Sequence, residues 1–190
     1  MPLTKVKTHP LTFRSAKHGD GAALWDVIRN AGTLEVNSAY FYLLFASDFG
    51  DTCLVAEQEG EIVGAVIGYR PPRDPQAAFV WQIGIAPHLR GQGLGRKLLE
   101  QWIELPANSD ARWLTATISD DNRASQGLFR GFARRIGAEC QDFDHFTEEL
   151  FPGEHDAERM FRIGPLARHA KGEPRRTAAG ASMLSDRSAA

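Results

Sequence analysis

Residues 89–96 read LRGQGLGR, and an amphipathic stretch, residues 94–105 (LGRKLLEQWIEL), begins inside them. Three glycines fall within five positions of this segment, at 91, 93 and 95. Glycine has no Cβ, so the backbone amides of such a loop can approach an anion closely. A helix that starts in the loop adds the positive end of its dipole. The segment therefore predicts a phosphate-binding loop at the beginning of a helix.

Two common phosphate-binding motifs do not match this loop. A nucleotide-binding P-loop ends in Gly-Lys-Ser or Gly-Lys-Thr, whereas Gly95 is followed by Arg96-Lys97-Leu98. A dinucleotide fingerprint needs the spacing G-x-G-x-x-G after the first strand of the chain, and neither condition holds here. A glycine-rich turn without a ligand is the remaining alternative, and the loop alone does not exclude it.

The composition is that of an ordinary globular domain. The chain has 190 residues, of which 43% are hydrophobic and 24% charged, and this length predicts a single folded domain. We expect a loose leader at residues 1–10, one folded domain at residues 11–166, and a disordered tail at residues 167–190. The formal net charge of -2 argues against a nucleic-acid partner.

Cysteine usage and hydropathy predict a cytoplasmic protein that binds neither a metal nor a membrane. The two cysteines, Cys53 and Cys140, lie in separate apolar runs, which predicts buried thiols rather than a disulfide. Neither has further ligands at the spacing that a zinc site needs. The N-terminus lacks the apolar core of a signal peptide, and the longest apolar run, residues 39–46, is too short to cross a bilayer.

Hydrophobic periodicity predicts an α/β fold with the element order β-α-α-β-β-β-α-β-α-β-β. This order indicates a mixed, mostly antiparallel central sheet flanked by helices. Local signals place three of the boundaries: Gly32 ends the first helix, Ser38 caps the second, and Glu59-Gly60 turns a hairpin.

Two sequence matches decide between the alternatives for the glycine loop. Arg90-x-x-Gly93-x-Gly95 follows a strand-like segment, residues 80–87 (VWQIGIAP), and a helix start, residues 122–129 (NRASQGLF), lies downstream. Together they resemble the acetyl-CoA-binding signature of the GCN5-related N-acetyltransferases, and the resemblance spans residues 11–164. It implies that family's fold and acetyl-CoA as the co-substrate, with coenzyme A supplying the phosphate.

The resemblance also assigns residues to acetyl-CoA. It implies that loop amides hold the pyrophosphate, that a strand pairs with the pantetheine amides, and that a helix start contacts the pantetheine arm. The loop residues are Arg90, Gly91, Gln92, Gly93, Leu94, Gly95 and Arg96, the strand residues are Ile83, Gly84 and Ile85, and the helix contributes Asn122. In many family members a tyrosine seven residues after that asparagine protonates the departing thiolate, but this position is Phe129 here. The thiolate then leaves unassisted, takes a proton from water, or is protonated by another hydroxyl.

Acetyl transfer also needs groups that hold an ammonium and take its proton. Acidic and aromatic residues suited to this task occur in three segments, residues 33–42 (TLEVNSAYFY), 79–85 (FVWQIGI) and 150–163 (LFPGEHDAERMFRI). We expect alternation on the middle segment to place Trp81 and Ile83 on one face and Gln82 on the other. The expected substrate contacts are Glu35, Asn37, Tyr40, Trp81, His155 and Glu158. Of these, Glu158 is the preferred base, Tyr40 the replacement acid, and Glu35 a second carboxylate for the substrate.

As a set, these residues resemble the branch of the family that acetylates L-2,4-diaminobutyrate on its 4-amino group, which supplies a precursor of the osmolyte ectoine. The matches are Thr33-Leu34-Glu35-x-Asn37-Ser38-x-Tyr40, Trp81-Gln82-Ile83-Gly84, and Leu150-Phe151-Pro152 with His155 and Glu158. In that branch the position of Glu35 is usually Asp. The family is commonly dimeric, which implies a homodimer. The alternatives are an acetyltransferase for another small amine such as a polyamine, and a non-catalytic acetyl-CoA sensor.

Overall fold

A computed structural model describes residues 10–32 and 34–167 of the chain. Thr33 and nearly all of the predicted leader and tail therefore lie outside the described residues. The strands are β1 Thr12–Ser15, β2 Leu54–Gln58, β3 Glu61–Tyr69, β4 Ala77–Ile85, β5 Trp113–Ser119, β6 Glu139–Phe146 and β7 Glu158–Gly164. The helices are α1 Gly21–Ala31, α2 Ala39–Asp48, α3 Leu94–Ile103 and α4 Arg123–Ile136. This succession confirms the predicted order of helices and strands.

The boundary signals in the sequence act as predicted. Gly32 follows α1 with a φ of 64°, a left-handed conformation that glycine adopts without strain. The Ser38 hydroxyl accepts a hydrogen bond from the amide of Phe41, in the first turn of α2, at 3.4 Å. Glu59 and Gly60 both have positive φ, 55° and 83°, which is the conformation of a two-residue hairpin turn. Local chemistry is sufficient to set these three boundaries.

The seven strands form one sheet in the order β1-β2-β3-β4-β5-β7-β6. Every neighbouring pair is antiparallel except β4 and β5, which are parallel, so the sheet is mixed and mostly antiparallel as predicted. The last strand, β7, lies between β5 and β6. This insertion brings Glu158 at the start of β7 opposite Ser119 at the end of β5.

The parallel pair opens in the middle of the sheet. β4 and β5 pair only from Ala77 with Trp113 to Val80 with Ala116, although β4 continues to Ile85 and β5 to Ser119. Beyond Val80 the two strands separate, so the edge of β4 that faces β5 is left without a strand partner over residues 81–85. The carboxyl ends of parallel strands are where α/β sheets bind ligands. The separation therefore provides a cleft at the centre of the fold.

Two clusters of buried side chains cover the two faces of the sheet. One cluster joins α3 and α4 to the sheet through residues such as Leu98, Trp102 and Phe132. The other joins α1 and α2 to it through residues such as Leu24 and Tyr42. Cys53 belongs to the second cluster, and burial raises the pKa of its thiol to about 12, whereas Cys140 on β6 is only half-buried. The prediction of buried thiols is therefore right for Cys53 and wrong for Cys140, because β6 is an edge strand.

Candidate active site

A cleft of about 1370 Å³ lies where β4 and β5 separate. Its walls come from the α1–α2 connection, the end of β3 with the β3–β4 connection, β4, β5, the start of α4, β6, the β6–β7 connection and β7. The predicted site residues among them are Glu35, Asn37, Trp81, Ile83, Asn122, Phe129, His155 and Glu158. Residues far apart in sequence thus meet in one place, and this place contains most of the predicted acceptor site.

A bulge in β4 shapes the floor of the cleft. Ile67 of β3 pairs with Gln82 and Gly68 pairs with Val80, so Trp81 is an extra residue without a partner on β3. Bulges re-aim side chains, and here the Trp81 ring lies 5.4 Å from the ring of Phe41 on α2, while Ile83 packs in the cluster on the opposite face. The prediction that Trp81 and Ile83 share a face is therefore wrong, since it assumed an unbroken strand. Trp81 stays 46% exposed and forms part of the wall of the cleft.

Glu35 and His155 approach each other from two different connections. The Glu35 carboxylate lies 4.0 Å from His155 Nε2, and its side chain is 86% exposed. The imidazole stacks on Phe151 at 3.9 Å between ring centroids, and its Nδ1 lies 2.6 Å from the carbonyl of Asp156. A carbonyl only accepts hydrogen bonds, so Nδ1 carries the hydrogen and Nε2 faces the carboxylate. The pair places a carboxylate and a proton-exchanging ring nitrogen together on the cleft wall.

Glu158 and Asn37 complete the predicted polar wall. Glu158 is the first residue of β7, half-buried, and is paired with Ser119 on one side and Phe146 on the other. Because β7 is inserted between two strands, the backbone of Glu158 is held more firmly than that of a loop residue. Asn37 lies in the connection before α2, and its backbone amide donates to the hydroxyl of Tyr42 at 3.2 Å.

The structure does not bring Tyr40 into this cleft. Its side chain is 72% exposed and is not among the residues that form the cleft wall. The reason is helical geometry: Tyr42, two residues later on α2, faces the sheet and is fully buried, so Tyr40 projects away from it. The geometry of the described chain therefore argues against Tyr40 as the acid and as a substrate contact.

Two aromatic residues of the cleft wall, Phe129 and Tyr69, concern the question of which group could protonate the thiolate. Phe129 is 2% exposed and forms part of the wall, so the position that carries the family's usual tyrosine has no hydroxyl to offer. Tyr69, at the end of β3, is a wall residue that the sequence analysis did not single out, and burial raises the pKa of its phenol. No local signal marks it, because its place in the cleft depends on the pairing of β3 with β4.

The glycine loop leads directly into α3, which begins at Leu94, as the sequence predicts. Gly91 and Gly93 have φ values of 71° and 78°, which residues with a Cβ rarely adopt. Within residues 10–32 and 34–167, the amide nitrogens of residues 91–96 make no well-formed hydrogen bond to a protein acceptor, although residues 90–93 form a turn. Such amides at a helix start are the donors that an anion can satisfy. Gly95 has a different task, since a Cβ there would lie 3.2 Å from the side chain of Ile85.

Arg90 has a partner that the sequence analysis did not predict. Its guanidinium donates to the carbonyls of Asn30, at 3.4 Å, and of Ala31, at the C-terminal end of α1. A cation there interacts favourably with the negative end of the helix dipole. Arg90 thus ties the glycine loop to α1, and a contact with phosphate stays a prediction. Arg96, by contrast, is exposed and lies 3.8 Å from Glu100 one turn along α3.

Among residues 10–32 and 34–167, no group of three or more His, Cys, Asp or Glu side chains is arranged to hold a metal ion. In the same part of the chain, no helix has the length and apolar character needed to span a membrane.

Comparison with protein families identifies a related group of enzymes. Residues 22–132 match the model of the acetyltransferase (GNAT) family. The chain is similar to the L-2,4-diaminobutyric acid acetyltransferase of Shouchella clausii, with 43% identity over 162 residues that cover 85% of this chain and 90% of that protein. It is also similar to the enzyme of the same name from Halomonas elongata, with 41% identity over 83% of this chain and 82% of that protein.

Solved structures show the same relationship. A diaminobutyrate acetyltransferase from Paenibacillus lautus, in complex with L-2,4-diaminobutyric acid and coenzyme A, superposes with a TM-score of 0.79 at 36% identity. The match covers 83% of this chain and 96% of that chain. An acetyltransferase from Salmonella typhimurium with acetyl-CoA superposes with a TM-score of 0.63 at 19% identity, over 86% of this chain and 98% of that one. The second likeness concerns the fold alone.

Proposed function

We propose that this chain, which belongs to the acetyltransferase (GNAT) family, transfers the acetyl group of acetyl-CoA to the 4-amino group of L-2,4-diaminobutyrate. The product is N4-acetyl-L-2,4-diaminobutyrate. The observation that carries the proposal is that one cleft joins the opening between β4 and β5 to the carboxylates of Glu35 and Glu158. The relatives that match most of the chain carry the name of this same activity.

The fold fits acetyl-CoA at two separate places. The glycine loop presents amides without protein acceptors at the start of α3, which suits the pyrophosphate. The edge of β4 beyond Val80 has no strand partner, so the amides and carbonyls of Ile83 and Ile85 can pair with the pantetheine amides. Asn122 and Phe129 lie on the α4 side of the same cleft. Acetyl-CoA bound in this way has its thioester between the two separated strands.

The diamino acid is held by opposite charges and an aromatic wall. Its two ammonium groups lie only a short distance apart, so selecting one of them needs anchors at both ends of the molecule. Glu35 and Glu158 supply carboxylates from two sides of the cleft, and Trp81 supplies a ring face for the short side chain and its cation. When its ring carries a hydrogen on both nitrogens, His155 beside Glu35 can donate from Nε2 to the substrate carboxylate.

Transfer requires the 4-ammonium to lose a proton before its nitrogen attacks. Glu158 is the proposed base, because it is fixed on β7 and lines the cleft. The nitrogen then forms a bond to the carbonyl carbon as the carbon–sulfur bond breaks, and it gives up its second proton to solvent as the amide forms. A backbone amide of the β4 edge can face the carbonyl oxygen while negative charge develops there. Coenzyme A leaves as a thiolate and takes up a proton from solvent, because the position of the family's usual tyrosine is Phe129, which has no hydroxyl.

Assembly and place in the cell follow as parts of the same proposal. Large apolar side chains are exposed on α2, among them Leu43, and a second copy of the chain would cover such a surface. We therefore propose a homodimer that works in the cytoplasm and supplies the acetylated precursor of ectoine. Neither a nucleic acid nor a membrane is required as a partner.

A panel of amines tests this function against the alternative of a polyamine acetyltransferase. Several further carboxylates line the cleft, including those of Glu148, Glu154 and Asp156, and such a lining also suits a longer polycation. The purified protein is incubated with acetyl-CoA and L-2,4-diaminobutyrate, ornithine, lysine, putrescine or spermidine, and free thiol is measured over time. The proposal expects the highest kcat/KM with diaminobutyrate. A preference for spermidine would establish the alternative, and no thiol release with any amine would indicate a sensor.

A further inference from the structure

One buried hydrogen-bond network connects the floor of the cleft to the connection between α1 and α2. Gln82 on β4 is only 6% exposed, and its side-chain Nε2 donates to the carbonyl of Glu35 at 2.6 Å. Its Oε1 accepts from the hydroxyl of Tyr42 at 3.1 Å. The same hydroxyl accepts from the backbone amide of Asn37 at 3.2 Å. The network therefore holds residues 35 and 37 through their backbones, on either side of Val36.

The directions of these bonds are fixed by chemistry. The carbonyl of Glu35 only accepts, so the amide nitrogen of Gln82 must face it and the amide oxygen must face Tyr42. The Tyr42 hydroxyl must then donate to that oxygen, which leaves its lone pairs to accept from Asn37. No other orientation of the Gln82 side chain satisfies all three groups. Removal of the polar group of Tyr42 or Gln82 therefore leaves the groups bonded to it without a hydrogen-bond partner.

The Glu35 carboxylate depends on this backbone attachment. Its side chain is 86% exposed, and the ion pair with His155 is at the long distance of 4.0 Å. Neither observation indicates a side chain that is held in place by its own contacts. The position of the carboxylate over the cleft is instead set by where the backbone of residues 35–37 lies. That backbone is attached to the bulged strand next to Trp81, which also faces the cleft.

We infer that Tyr42 and Gln82 are positioning residues, which hold the Glu35 carboxylate at the distance from β4 that the diamino acid requires. The inference rests on the proposed function for the identity of the substrate, but the attachment itself is a property of the chain alone. Loss of the network leaves the acetyl-CoA contacts untouched, because the glycine loop and the outer edge of β4 do not take part in it. Loss of the network is therefore expected to change the KM for the amine and to leave the KM for acetyl-CoA unchanged.

Tyr42→Phe is the first test, because it removes one hydroxyl and keeps the buried ring. We expect the KM for diaminobutyrate to rise about tenfold, with the KM for acetyl-CoA unchanged, since one buried network loses two of its bonds. Gln82→Met, of similar volume, should behave in the same way. Thr52→Val is the matched control: it removes a buried hydroxyl that donates to Gly68 at 2.8 Å, away from the cleft, and should leave both KM values unchanged.

A double-mutant cycle separates positioning from general stability. If Tyr42 acts through Glu35, then adding Tyr42→Phe to Glu35→Gln should raise the KM for diaminobutyrate little further. Full additivity of the two effects, or equal rises in the KM for both substrates, would overturn the inference.

A measurement without substrate keeps this inference distinct from the proposed function. Amide hydrogen exchange of residues 34–37, followed by mass spectrometry, should be faster in Tyr42→Phe than in the wild type, and unchanged in Thr52→Val. Unchanged exchange in Tyr42→Phe would overturn the attachment even if diaminobutyrate is the substrate. Faster exchange together with a wild-type protein that does not acetylate diaminobutyrate would support the attachment and refute the proposed function.

Discussion

Replacing Glu35 by glutamine is expected to raise the KM for diaminobutyrate and to leave kcat nearly unchanged. Glutamine has almost the same size as glutamate, so packing is kept and only the charge is lost. A hydrogen bond to a charged group contributes about 1.5–3 kcal/mol. The Glu35 side chain is 86% exposed, and solvent screening places its contribution at the lower end of this range. A loss of about 1.4 kcal/mol corresponds to about a tenfold rise in KM.

Glu158→Gln should behave differently, because Glu158 is the proposed base. Its loss is expected to lower kcat by a factor of about 100 or more, with a smaller change in KM. Steady-state kinetics with varied diaminobutyrate at saturating acetyl-CoA measures both parameters. Glu61→Gln, an exposed glutamate on β3 away from the cleft, is the matched control and should match the wild type. If Glu35→Gln kept the wild-type KM, or if its effect were on kcat alone, the assignment of Glu35 as a substrate anchor would be refuted.

Three further predictions concern acetyl-CoA, pH and the tail. Gly93→Val should raise the Kd for acetyl-CoA strongly, because residue 93 has a φ of 78° and a branched side chain would strain the loop amides; calorimetry with unchanged affinity would contradict this. Burial raises the pKa of Asp20, but hydrogen bonds from Arg14 and the Lys17 amide lower it more, so the net pKa is below its usual value. The ionised Asp20 side chain therefore stabilises the fold above about pH 4, and this contribution is lost as the pH falls through the lower pKa of the folded state. Asp20→Asn should lower the free energy of unfolding, measured in urea, at pH 7, and the loss should become smaller towards pH 3. Removal of residues 167–190 should leave Tm and turnover unchanged, because that segment has almost no large apolar side chains.

Features that depend on neighbouring residues were predictable from the sequence. The order of helices and strands, the stop at Gly32, the cap at Ser38 and the start of α3 inside the glycine loop all follow from patterns a few residues long. The acetyl-CoA side of the site belongs to this class, because the glycine loop and the helix after it are continuous in the chain. The acceptor residues were predicted through resemblance to a known family; Glu35, Asn37, Trp81, His155 and Glu158 line one cleft, Tyr40 does not, and their roles stay predictions.

Features that depend on the pairing of distant segments were not predictable. Trp81 changes face because β4 has one residue more than β3 at the bulge, and alternation along a single strand cannot show an insertion relative to its partner. Tyr40 and Tyr42 are both aromatic residues at the start of one helix, and only the packing of α2 on the sheet distinguishes the exposed one from the buried one. Arg90 contacts the end of α1 because the glycine loop and that helix end are neighbours in space.

The most direct test of the whole account is the identity of the reaction product. The purified protein is incubated with acetyl-CoA and L-2,4-diaminobutyrate, and the product is analysed by mass spectrometry and by NMR, with Glu158→Gln under the same conditions. The account predicts a single product with one acetyl group on the 4-nitrogen, formed much more slowly by the variant. Acetylation of the 2-nitrogen, a mixture of both isomers, or no acetylation of diaminobutyrate by the wild type would contradict it.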